Sequence, residues 1–152
     1  MRLSMKTEYG VRAIVELAAN AGRGALQSGE IARRQVIPGP FLDQVLMTLR
    51  RAGLVHSTRG PHGGHLLARS PEDIRLDEVI ASLEGDGVKR GQPDGAETGD
   101  SRVLALVTEK AEQAARDVFA SQTLADCLRL RRSQPQVFHG IFHAVPAKPR
   151  GA

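Results

Sequence analysis

Residues 28–69 read SGEIARRQVIPGPFLDQVLMTLRRAGLVHSTRGPHGGHLLAR, and the punctuation of this stretch decides the fold. Ser28 offers a side-chain oxygen to the free N–H groups of a following turn and Glu30 complements the positive helix end, so residues 29–35 read as a short second helix. IPGP at 37–40 breaks it, and Pro40 suits the first turn of a third helix, where its missing N–H costs nothing. That helix extends to about Ala52, with Leu42, Val45, Leu46 and Leu49 turned inward and Phe41, Asp43, Gln44, Met47, Thr48 and Arg51 left outside. Gly53 fits the left-handed position just past its end. LVHSTR at 54–59 and HLLA at 65–68 are strand-like, and the glycines of GPHGG at 60–64 permit the positive φ that a hairpin needs.

Outward from this stretch, Val11, Ile14, Leu17, Ala18 and Ala21 recur at helical spacing between Lys6 and Ala21, which predicts a first helix with one buried face. Another helix is expected from Leu76 to Glu84, burying Leu76, Val79, Ile80 and Leu83. Residues 85–101 alternate glycine with charge and read as a flexible linker. A long helix follows to Phe119, with Val103, Val107, Ala111, Ala114, Ala115 and Val118 on one stripe, and Thr123 caps a short last helix, LADCLRLRR. The expected organisation is a domain at 1–84 (helix-turn-helix 28–52, wing 54–68), the linker, dimerisation helices at 102–132 and a tail at 133–152. The fold class is mainly α with a small β-hairpin.

A chain of 152 residues can bury a core without disulfides, and its single cysteine, Cys127, cannot form one internally. No charged-then-apolar leader and no apolar run of membrane length is present, so a cytoplasmic location is expected. Charge is distributed unevenly. Residues 1–70 hold ten Lys/Arg against four Asp/Glu, and the remainder is net acidic, which points a polyanion at the N-terminal half.

Three helices followed by a two-stranded wing are a known means of reading DNA, with the helix at 39–52 in the major groove. Gln44 suits an adenine edge, Asp43 a cytosine amine and Phe41 a thymine methyl. Arg59, ahead of Gly60, Pro61 and His62, is a cation on a loop slim enough for a minor groove. Ser28, Arg51 and Ser57 complete the expected contacts with double-stranded DNA.

MRLSMKTEYGVRAIVELA at the N-terminus, then SGEIARRQVIPGPFLDQVLMTLRRAGLVHSTRGPHGGHLLARSPEDIRLDEVIASLEG, resembles the Rrf2 family of bacterial transcription regulators, the IscR, NsrR and CymR group. LRRAGLV at 49–55 with RGPHGG at 59–64 carries the likeness most specifically, and it resumes at TLADCL, 123–128. The resemblance implies a winged helix-turn-helix homodimer joined through the long helices at Val103, Val107, Ala111, Ala114 and Val118. It also implies a palindromic operator, with Phe41, Asp43 and Gln44 facing bases and Arg59 in the minor groove. Members of the family often begin the recognition helix with small hydroxyl residues and a tyrosine, where this chain has Pro38, Gly39, Pro40 and Phe41. Iron–sulfur members carry three cysteines before the long helix; residues 85–101 have none, so no cluster and no other cofactor is expected.

The expected function is a transcriptional regulator, a repressor by occupancy, with its effector open. The alternative is a winged-helix protein-interaction module, which has no need for Arg59 or Gln44 at those places. An enzyme is not expected, because no phosphate loop, nucleophile–base pair or paired carboxylates stand in a recognisable setting. His56, His62, His65, His139 and His143 read as surface side chains ahead of metal ligands. Cys127 reads as a packed residue, with a thiol of lowered pKa near Arg129 and Arg131 as the alternative.

Overall fold

The structure, a computed structural model, describes residues 3–85 and 99–133. Its order is α1 (Met5–Ala19), α2 (Ser28–Gln35), α3 (Gly39–Arg51), β1 (Val55–Thr58), β2 (Gly64–Leu67), a 3₁₀ turn at Pro71–Asp73, α4 (Leu76–Glu84), α5 (Gly99–Ala120) and α6 (Leu124–Ser133). The strands pair antiparallel with Val55 opposite Leu67 and Thr58 opposite Gly64. A mainly helical winged fold is therefore present. Most of the linker at 85–101 and of the tail at 133–152 lies outside the described residues. Among those described, no helix is long and apolar enough to cross a membrane.

Local chemistry explains the boundaries. Ser4 caps α1, its hydroxyl accepting from Thr7 N at 3.1 Å. Pro40 stands in the first turn of α3, and Gly53, at φ +73°, takes the left-handed position after Ala52. Thr123 and Asp126 cap α6 reciprocally: Thr123 N donates to Oδ2 of Asp126 at 2.8 Å and Asp126 N to the Thr123 hydroxyl at 3.2 Å.

Two details differ from the sequence reading. Ser28 is the first helical residue of α2 rather than its cap; Gln27 takes the cap position with no side-chain bond. The reason lies upstream, where Leu26 is held extended by a bridge to His65, so the helix starts immediately afterwards. Ala21 is exposed, because α1 stops at Ala19.

Helix α1 is the axis of the core. Ala13 to Ala18 are buried without interruption, since α2, α3, α4, α6 and β2 all pack on it. Leu42, Val45, Leu46 and Leu49 of α3 fill the same core, as do Val79 and Leu83 of α4. Burying such side chains contributes about 1.5–3 kcal/mol each. Helix α6 joins them through Leu124 and Cys127, and its start is stitched on by Leu124 N to Ile74 O (2.9 Å) and Leu76 N to Gln122 O (2.8 Å).

Helix α5 is different. Val103, Leu104, Leu106, Val107 and Val118 are 58% to 68% exposed, with Ala111 and Ala114 also at the surface. An apolar stripe of this extent on one helix marks a candidate interaction surface.

Candidate nucleic-acid interface

Helix α3 presents the residues singled out in the sequence on its open side. Leu42, Val45, Leu46 and Leu49 bury one stripe, which forces Phe41, Asp43, Gln44, Met47 and Arg51 outward by the helical period. Thr48 spends its hydroxyl on Gln44 O at 3.0 Å, so it is occupied within the helix. Phe41, 55% exposed, leans on Tyr9 of α1 with ring centroids 6.1 Å apart. Its ring is thereby held in place at the start of α3 while most of it stays open to solvent.

The hairpin is shaped by glycine at three places for three reasons. Gly60 has φ +108° and opens the tip; Gly63 N closes a turn onto Gly60 O at 2.9 Å, and a Cβ on Gly63 would lie 2.5 Å from Thr58 O. Gly64, at φ +150°, runs so close to Leu26 that a Cβ there would meet its carbonyl oxygen at 2.5 Å. Next to it, His65 N donates to Leu26 O (2.8 Å) and Leu26 N to His65 O (3.0 Å). The wing is thus pinned to the turn between α1 and α2, and Arg59 projects from an anchored loop.

Electrostatics separate two groups of arginines. Arg33 and Arg34 are paired with Glu30, Arg69 with Glu78 and Arg75 with Asp77. The side chains of Arg23, Arg51 and Arg59 form no ion pair among the described residues. Cations without internal partners are free to meet phosphates at no cost in broken pairs. On β2, burial pushes the pKa of His65 down, Asp43 of α3 opposes this and Arg50 adds to it, and its Nδ1 is 3.1 Å from the Ser57 hydroxyl. A neutral imidazole here ties the two strands to each other.

Of the sequence-selected residues, Ser28 is half-buried at the start of α2, and Phe41, Asp43, Gln44 and Arg51 line the open face of α3. Ser57, Arg59, Gly60 and His62 are exposed on the wing. Sequence reasoning missed Leu26 and His65 as the wing's anchor, because a single bridge between a loop and a strand leaves no periodic signal. It also missed Glu16. This carboxylate sits mid-α1 with 4% of its side chain exposed and accepts from Arg34 (3.0 Å), Gln35 (2.7 Å) and Arg131 (3.1 Å). Cys127 is buried, and desolvation and Asp126 push its thiol pKa up, so the lowered pKa weighed from Arg129 and Arg131 is not found.

Comparison with known proteins assigns the chain to a family and supports its fold. The Rrf2 family, described as an iron-dependent transcriptional regulator, matches residues 3–129. The regulator IscR of Cereibacter sphaeroides is 43% identical over 86 residues, covering 55% of this chain and 56% of that protein. The chain spans a little over half the length of such curated relatives. Among solved structures, T. potens IscR superposes with a TM-score of 0.72 at 38% identity, covering 85% of this chain and 87% of that one. CymR, the global cysteine regulator of B. subtilis, does so with 0.70 at 30%, covering 84% and 95%. The curated relatives are named as transcriptional regulators of helix-turn-helix type.

The family description names iron, and the donors of this chain do not fit an iron–sulfur cluster. Cluster iron is held by thiolates, and the one cysteine is buried on the inner face of α6, where desolvation pushes its pKa up and so disfavours the thiolate. Among the described residues no three His, Cys, Asp or Glu side chains gather as a metal site.

Proposed function

We propose, on the premise that this chain belongs to the Rrf2 family of transcriptional regulators, that it binds a palindromic operator as a homodimer and represses by occupancy, without an iron–sulfur cluster. The observation that carries the reading is Arg59, without an ion-pair partner among the described residues, on a wing pinned to the Leu26 loop, together with the open face of α3. In this reading Gln44, Asp43 and Phe41 read base edges, Arg59 enters the minor groove, and Arg51, Ser28, Ser57 and His62 approach the backbone. One such unit covers a short half-site, so two copies about 34 Å apart are needed for useful affinity. The exposed stripe Val103, Val107, Ala111, Ala114 and Val118 on α5 is the self-complementary surface that supplies the pairing. A dimer seated across a promoter blocks polymerase with no further contact.

Selection of bound fragments from random duplexes, followed by footprinting, tests the proposal. An inverted repeat with half-sites one turn apart, protected by a dimer, is the expected result. Uniform binding of all duplexes, or protection of a single unrepeated site by a monomer, contradicts it.

A further inference from the structure

A cavity of about 450 Å³ opens on the side of the fold formed by α1, the end of α2 and α6. Val11 and Val15 form an apolar floor, Val36 stands at the rim with 80% of its surface exposed, and Arg12, Arg34 and Arg131 converge on it. Its volume is that of a small-molecule site. Glu16 lies at the back, its two oxygens taken by Arg34 on one side and by Gln35 and Arg131 on the other. The lining therefore holds three arginines and one carboxylate whose oxygens are already satisfied, while Glu8 and Glu30 pair with Arg12 and Arg34 from outside it.

The guanidinium donors are only partly used. Arg131 commits Nη1 to Glu16, Arg34 commits Nη1 to Glu16 and Nε to Glu30, and Arg12 commits its two Nη atoms to Glu8 and to Gln35 O. Nε and Nη2 of Arg131 and Nη2 of Arg34 have no partner among the described residues. Arginine forks with spare N–H groups match a planar carboxylate, which accepts in pairs, and the valine floor suits an aliphatic body. An amine would face donors only, because both oxygens of Glu16 are already taken.

We infer that this cleft is a binding site for a small organic carboxylate with an aliphatic chain. The carboxylate lies against Arg131 and Arg34, and the chain covers Val11 and Val15. Such a ligand touches α2, the first helix of the DNA-reading pair, and α6 at once. As an effector site the cleft rests on the regulator reading above; as a binding site it does not, and it is tested on the free protein.

The test titrates full-length protein with hexanoate, adipate, hexylamine and inorganic phosphate while backbone amide resonances are followed. Hexanoate or adipate should shift the amides of Val11, Val36 and Arg131 saturably, with a Kd of about 1 mM or tighter. Hexylamine should shift none of them. Arg131→Gln should weaken the carboxylate at least about tenfold, and Arg33→Gln, which lies outside the cleft, should leave it unchanged. If Arg131→Gln does not fold, Val36→Glu places a negative charge at an exposed rim position and should weaken the carboxylate likewise. Carboxylate affinity unchanged in these cleft variants, equal binding of the amine, binding of phosphate alone, or no saturable shift up to about 10 mM carboxylate overturns the inference.

Discussion

Glu16 on α1 accepts a hydrogen bond from Arg131 on α6 at 3.1 Å, across 115 residues of chain. With Arg34 and Gln35 bound to the same carboxylate, one buried charge joins α1, α2 and α6. Burial alone would push the Glu16 carboxyl up, and the bonds from Arg34, Gln35 and Arg131 outweigh it, so its pKa lies below the ordinary 4.5. A depressed carboxylate pKa stabilises the fold above the unfolded value and loses that contribution as pH falls through the folded one. Glu16→Gln should accordingly lower stability by about 2 kcal/mol at pH 7. The gap to wild type should shrink below pH 4.5. A gap independent of pH, measured by urea unfolding across that range, contradicts the ionised network.

The α5 stripe gives a second expectation. Because Val103 and Val107 are exposed in the single chain, Val103→Asp with Val107→Asp should leave the fold intact and place charges inside the proposed dimer surface. Sedimentation should show a monomer, with operator affinity reduced on the order of 100-fold or more. A dimer that persists in this variant rejects the assignment of the surface. Cutting away residues 101–152 is a poorer test, since it removes Leu124 and Cys127 from the core.

Wing and recognition helix should separate by their dependence on salt and sequence. Arg59→Ala is expected to weaken binding of all duplexes and to reduce the salt slope by about one. Gln44→Ala is expected to relax preference at one base pair, with a loss of about 1–3 kcal/mol for the preferred base. Titrations on matched and mismatched duplexes at several salt concentrations distinguish the two, and unaltered specificity in Gln44→Ala removes that residue from base reading.

Gly64→Ala should damage the wing without touching DNA directly. At φ +150°, and with the Leu26 carbonyl oxygen 2.5 Å from the new Cβ, the substitution forces β2 away from the loop. The cost is about 1–3 kcal/mol. Faster hydrogen exchange at His65 N, whose bond to Leu26 O would open, and weaker operator binding are the readouts. Native protection at His65 in the variant would show that the bridge does not anchor the wing.

Protein purified without oxygen should be colourless, contain negligible iron and sulfide, and bind its operator in the presence of a chelator. Stoichiometric iron, with binding lost on chelation, would show that ligands other than a cysteine set serve this chain.

Local sequence determined most of the elements. The i, i+3, i+4 spacing of Leu42, Val45, Leu46 and Leu49 assigned the buried face of α3, and thereby its open face, because helical geometry leaves no other arrangement. Pro40, Gly53 and Gly60 marked where helices begin, end and turn through constraints on their own φ. Three features were settled only by packing. Ser28 lost its capping role because Leu26 is held by His65, a residue 39 positions away on another element. The unbroken burial of Ala13–Ala18 and the enclosure of Glu16 arise because five elements converge on α1, and hydrophobic periodicity reads one face of a helix at a time. The docking of α6 onto that core rests on Leu124, Cys127 and the bond from Leu124 N to Ile74 O, and the arginine-lined cleft on Arg131 meeting Glu16; contacts this distant in the chain have no local sequence signature.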